Sequence, residues 1–131
     1  MPLTLLHHYT IRPRDMEETR EFYERVLGLP VGPRPDLGFP GYWLYLGSTP
    51  VVHLVPNGQG QLGSGSDEDD TGNFDHIAFL GDDFDGMKAH LEQEGVAFRF
   101  NDPPNANLRQ LFIRDPNYVM VELNFPGKGR R

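Results

Sequence analysis

The sequence predicts an α+β fold of two βαβββ modules, each a mixed sheet carrying one helix. Three observations predict it. Two strand-like segments, Leu5-Leu6-His7-His8-Tyr9-Thr10-Ile11 and Phe74-Asp75-His76-Ile77-Ala78-Phe79-Leu80, open matching halves of the 131-residue chain. A helical pattern and three further strand-like runs follow each opening in the same order. A stretch rich in glycine, serine and acidic residues separates the halves. The modules span residues 3–56 and 73–126, joined by a flexible linker over 57–72, within a single domain of 1–131.

The first strand, residues 5–11, alternates. Tyr9 and Ile11 face a helix, while His8, Thr10 and Arg12 take the opposite face. Seven residues after His8, Asp15 stands where a helix N-cap is wanted. Met16, Phe22, Tyr23, Val26 and Leu27 then mark an apolar stripe among Glu and Arg, and Gly28 ends the helix. Strands follow from Val31 onward, over 42–46 and over 51–55. In the last of these Val52 and Leu54 flank His53 on the other face.

The second half repeats the scheme. Asp83 lies seven residues after His76 and caps a helix with Phe84, Met87, Ala89 and Leu91 on its apolar side, closing at Gly95. Strands are expected over 96–100, 110–113 and 119–125. In the last, Val119, Val121 and Leu123 point to the helix, and Tyr118, Met120, Glu122 and Asn124 share the open face.

Composition excludes several functions. With no cysteine there are no disulfides, thiolate metal sites or cysteine nucleophiles. A net charge of -7 disfavours binding to a phosphate backbone, and the basic tail Lys128-Gly129-Arg130-Arg131 reads as a solubilising end. No apolar run has the length of a membrane span, and the N-terminus lacks a basic-then-apolar signal pattern. The chain therefore reads as cytoplasmic, with neither nucleic-acid nor membrane partners. The acidic run Asp67-Glu68-Asp69-Asp70 reads as hydrated, and the linker glycines lack the Gly-Lys-Ser/Thr of a phosphate loop.

The chemistry-bearing residues fall at matching places. His8 and His76 lie on the first strands, His53 and Glu122 on the last. His8 and His53 are 45 positions apart, His76 and Glu122 are 46. Strand parity puts all four on open sheet faces. A carboxylate in such a strand is costly unless paired, and a divalent cation shared with imidazoles removes the cost. The expected site is one metal ion (Fe, Ni, Zn, Co or Mn) held by His8, His53, His76 and Glu122, in a cleft around which the sheets curve. His53 is either the fourth ligand or a general base. His7 has the wrong parity, and His90 falls on the second helix.

Four motifs in order carry a resemblance over residues 3–125. They are Leu6-x-His8; Phe22-Tyr23-x-x-x-Leu27-Gly28-Leu29; Gly72-Asn73-x-x-His76-Ile77-Ala78; and Asp115-Pro116-Asn117-x-x-x-Val121-Glu122-Leu123. The chain resembles the vicinal oxygen chelate superfamily of glyoxalases, extradiol dioxygenases and bleomycin-resistance proteins. The resemblance implies the glyoxalase/dioxygenase fold, metal ligands at His8, His76 and Glu122 and often at His53, and homodimers. It implies an enzyme that chelates two neighbouring oxygens of a small oxygen-rich substrate, as a lyase or isomerase or as a ring-cleaving dioxygenase. His53 stands where glyoxalase I has Glu and another member of the superfamily, methylmalonyl-CoA epimerase, has Gln, so the isomerase mechanism is not carried over intact. His53 and Glu122 are the candidate catalytic groups. Arg12, on the face of His8, is placed to pair with a substrate carboxylate, and Tyr118 to line the pocket. The alternative is a metal-free protein that sequesters its ligand in the same cavity.

Overall fold

The computed structural model describes residues 2, 4–56, 71–72, 74–104 and 106–127. The chain divides into two compact units, Met1–Asp67 and Glu68–Arg131. Apart from Thr71 and Gly72, the expected linker lies outside the described residues, as do the acidic run and the basic tail.

The first unit runs β1 (Tyr9–Ile11), α1 (Met16–Arg25), β2 (Val31–Gly32), β3 (Tyr42–Leu46) and β4 (Thr49–Leu54). Its sheet has the order β1-β4-β3-β2, with β1 parallel to β4 and the other pairs antiparallel. The parallel pair demands a crossover, and α1 lies in that connection. The Asp15 carboxylate accepts from the Glu18 backbone N–H, satisfying one orphan donor of α1. Gly28, at φ +70°, turns the chain out of the helix in a conformation that glycine adopts freely. Met16, Thr19, Phe22, Tyr23 and Val26 bury the inner face of the helix, and Ile11, Leu44, Val52 and Leu54 bury that of the sheet. Leu27, expected on the stripe, is half-buried.

The second unit repeats this plan with β5 (His76–Leu80), α2 (Phe84–Gln93), β6 (Arg99–Asn101), β7 (Leu108–Arg114) and β8 (Met120–Pro126). The order is β5-β8-β7-β6, again with one parallel pair, β5 with β8. Asp83 caps α2 through the Gly86 N–H. Phe84 and Leu91 of α2 are buried, as are Leu111, Ile113, Val121 and Leu123 of the sheet, and Phe84 meets the rings of Phe100 and Phe125 edge-on, while Ala89 is exposed and Met87 half-buried. The apolar face of α2 is thus narrower than its sequence pattern. Asp115, 4% exposed, builds the turn into β8: its carboxylate accepts from the Asn117 and Val119 N–H groups.

Three strands are shorter than expected: β1, β6 and β5, which starts at His76 rather than Phe74. Residues 5–8 are exposed and unpaired, because the ladder with β4 opens only at Tyr9↔Val52. His8 therefore precedes β1 rather than lying on it. β6 begins at Arg99, where pairing with Phe112 starts, so residues 96–98 form a connection and not a strand.

Candidate functional site

In the first unit, β4 presents His53 on the open face between buried Val52 and Leu54, as parity requires. His8 stacks on His53 with ring centroids 3.8 Å apart and planes 9° from parallel. Trp43, the cross-strand partner of His53 on β3, stacks on the other face at 4.3 Å. The His53 Nε2 lies 3.0 Å from the Pro50 carbonyl oxygen. That bond takes the ring proton, leaving Nδ1 as the open nitrogen. Burial first, then the charges of His8, His7 and Arg34, hold the His53 pKa below the usual imidazole value. The exposed His8 shares a hydrogen bond with His7, Nδ1 to Nδ1 at 2.8 Å. Arg12 follows β1 and is exposed.

In the second unit, His76 Nε2 lies 3.2 Å from Glu122 Oε1. Each partner is oriented from behind. His76 Nδ1 is 2.8 Å from the Asp75 carboxylate. That bond, helped by the nearby Glu122, holds the His76 pKa above its usual value. Glu122 Oε2 accepts from the Gln110 amide at 3.2 Å and from the Asn124 amide at 2.7 Å, and Asn101 donates to the Gln110 carbonyl at 2.7 Å. The Glu122 side chain is only 13% exposed, so these amides supply the polar contacts that burial takes away. Tyr118 lies in the turn before β8 at φ +68°, with the Arg114 guanidinium 4.5 Å from its ring centroid and hydrogen-bonded to its carbonyl.

Each unit thus gathers two of the four expected ligands: His8 with His53, and His76 with Glu122. Within neither unit do three such side chains meet among the described residues. The second pair suits a cation well. Donors each about 2.1 Å from one ion, at a right angle or slightly wider, lie roughly 3 Å apart. Hydrogen bonds from behind to both His and carboxylate are the usual support of metal ligands. The first pair suits one less directly. A lone pair lies in its ring plane, and two nearly parallel planes do not meet at one ion. His8 must turn out of the stack before it and His53 can share a cation. Its exposure outside the strand permits that.

Asp75, Asn101 and Gln110 had no place in the expected site. Gln110 was within reach of parity, since Leu111 and Ile113 point inward on either side of Phe112. Its pairing opposite Asn124, one alternate position from Glu122, is a matter of register.

Comparison with known proteins decides the family. The profile of the Glyoxalase/Bleomycin resistance protein/Dioxygenase superfamily matches residues 5–123. The chain belongs to this superfamily. It is similar to "Glyoxylase I 4" of Arabidopsis thaliana, 27% identical over 128 residues, covering 92% of this chain and 70% of the relative. Solved structures share the fold of this superfamily member. A glyoxalase/dioxygenase from Nostoc punctiforme superposes with TM-score 0.74 at 19% identity, covering 97% of this chain and 94% of that one. The fosfomycin resistance protein FosX from Listeria monocytogenes gives 0.72 at 16% identity, covering 96% of each chain. The antibiotic binding protein TnmS3 from Streptomyces gives 0.68 at 21% identity, covering 97% and 99%. Among the described residues no helix is long and apolar enough to cross a membrane.

Proposed function

We propose that this superfamily member is a metal-dependent enzyme acting on a small oxygen-rich organic substrate, with His8, His53, His76 and Glu122 holding one divalent ion. The observation that carries the reading is the His76–Glu122 pair, at ligand spacing and oriented from behind by Asp75, Gln110 and Asn124. When bound, the ion supplies Lewis-acid stabilisation of charge on two neighbouring substrate oxygens. Glu122 offers Oε1 while its other oxygen stays fixed by amides. His53 has a single open nitrogen, Nδ1, so it serves either as fourth donor or as the base that takes and returns a proton there. Its lowered pKa keeps that nitrogen unprotonated at neutral pH. Arg12 is assigned to a substrate carboxylate and Tyr118 to the pocket wall. The reaction class is a glyoxalase-like lyase or isomerase, or an extradiol-type dioxygenase, in a cytoplasmic homodimer.

The test is elemental analysis of protein purified without chelator, beside His76→Ala and Glu122→Gln. Near-stoichiometric Fe, Ni, Zn, Co or Mn in the parent, lost in both variants, is expected; a metal-free parent removes the reading. Oxygen uptake with catechols, against lactoylglutathione formation from the hemithioacetal, then separates the reactions.

A second reading is favoured by the first unit. The stack of Trp43, His53 and His8 is an aromatic platform, which suits a metal-free protein that sequesters a planar ligand. Tight binding of such a ligand by a metal-free parent selects it.

A further inference from the structure

The second unit carries a pocket of about 330 Å³ with Phe98, Arg99, Phe112, Ile113, Arg114 and Met120 in its lining, within the size range of small-molecule sites. Two arginines in one small pocket are unexpected in a chain of net charge -7. Their partners explain how they are held. The Arg99 guanidinium lies 4.2 Å from the centroid of Phe112, and that of Arg114 lies 4.5 Å from the centroid of Tyr118. Arg114 donates one N–H to the Tyr118 carbonyl. Among the described residues neither guanidinium is paired with a carboxylate. Aromatic rings fix both cations in place without neutralising them. The remaining N–H donors stay available, and a planar fork matches an oxyanion.

Register ties the pocket to the proposed centre. Phe112 is the cross-strand partner of Glu122, and Arg114 of Met120, which in turn pairs with His76. Arg99 pairs with Phe112. Two rows thus run across the sheet, Arg99–Phe112–Glu122 and Arg114–Met120–His76.

We propose that Arg99 and Arg114 bind the oxyanion of a small organic acid whose apolar body rests on the pocket lining, which makes them specificity residues beside His76 and Glu122. As a statement about substrate, this rests on the function proposed above. Carboxylate and phosphonate share the required chemistry.

Isothermal titration of the full chain in EDTA, with benzoate, phenylphosphonate and neutral benzamide as probes, tests it without needing the metal. At least one anion is expected to bind saturably, and benzamide at least about tenfold more weakly. The tighter anion identifies the group. Arg99→Gln and Arg114→Gln should each weaken that anion roughly tenfold, the size of one charge-assisted hydrogen bond lost. Arg99→Lys, which keeps charge without the planar fork, should fall between. Unchanged thermal melts and unchanged metal content in these variants separate the pocket from folding and from the metal centre. Equal binding of benzamide and benzoate, parent-like binding by the Gln variants, or no saturable anion binding overturns the proposal. Anion binding in EDTA, together with a parent found metal-free when purified without chelator, leaves the pocket standing and removes the enzyme reading instead.

Discussion

His53 is held between two rings, with His8 on one face at 3.8 Å and Trp43 on the other at 4.3 Å. The indole comes from β3 and the imidazole of His8 from the segment before β1, so the stack crosses β4 from both neighbours. Ring currents from both sides shield the His53 protons. Trp43→Ala should move their resonances downfield and cost roughly 2 kcal/mol, for a half-buried indole and one stacked pair. Trp43→Phe should keep most of both. Urea denaturation and histidine-edited NMR are the measurements, and His53 resonances that stay put in Trp43→Ala would dispose of the stack.

The Gln110 amide bridges Asn101, Glu122 and Asn124 without reaching for an ion itself. Under the proposed function it is a positioning residue. Gln110→Leu frees Glu122 Oε2 from one of its two amide donors, and metal affinity should fall about 10- to 100-fold. Competition with a chromophoric chelator, using cobalt or zinc, reads the affinity directly. The cobalt spectrum should also shift as the carboxylate reorients, which a loss of fold would not produce. Wild-type affinity with an unaltered spectrum would remove Gln110 from the centre.

Glu17 on α1 accepts hydrogen bonds from Tyr42 on β3 and from Arg20 one turn along. The Tyr42 bond, then the Arg20 bond, lowers the Glu17 pKa from 4.5; the same bond to Glu17 raises that of Tyr42 from 10.0. A depressed carboxylate pKa stabilises the fold above its unfolded value, and the gain disappears as pH falls through the folded value. A raised phenol pKa acts in the opposite sense: its gain is present below pH 10 and disappears as pH rises through the folded value. The stability difference between parent and Glu17→Gln should therefore be flat near neutrality and shrink on both sides, below about pH 4.5 and above about pH 10. Because Glu17 is exposed, the difference is small and screened by salt. Thermal melts of the pair across pH check this; a difference independent of pH would refute the tie.

Gly32 on β2 lies against the Tyr45 ring, where an added Cβ would sit 2.6 Å from two ring carbons. Gly32→Ala should cost about 1–3 kcal/mol by overpacking. Tyr45→Leu removes the obstruction, so the double variant should recover part of that loss in a double-mutant cycle by urea denaturation. Strict additivity of the two changes would count against the contact.

Much of this architecture is visible along the chain, because it depends on interactions between near neighbours. Asp15 and Asp83 reach the backbone N–H groups three residues on, and Gly28 and Gly95 leave their helices at positive φ, as their spacing predicts. Strand alternation puts Val121 and Leu123 inward and Glu122 outward without reference to any other strand. Where a strand starts depends instead on its partner. The ladder of β1 opens at Tyr9 and that of β6 at Arg99, so His8 falls outside a strand and residues 96–98 do as well.

By itself the sequence determined the duplicated βαβββ plan, the helix caps and the face on which the strand residues His53 and Glu122 emerge. All of these follow from dihedral preferences and the period of two along a strand. The tertiary structure alone decided what each side chain meets across the sheet: Trp43 and His8 on His53, Gln110 and Asn124 on Glu122, Arg99 on Phe112. Those meetings depend on register between strands far apart in the chain, which alternation within one strand does not encode.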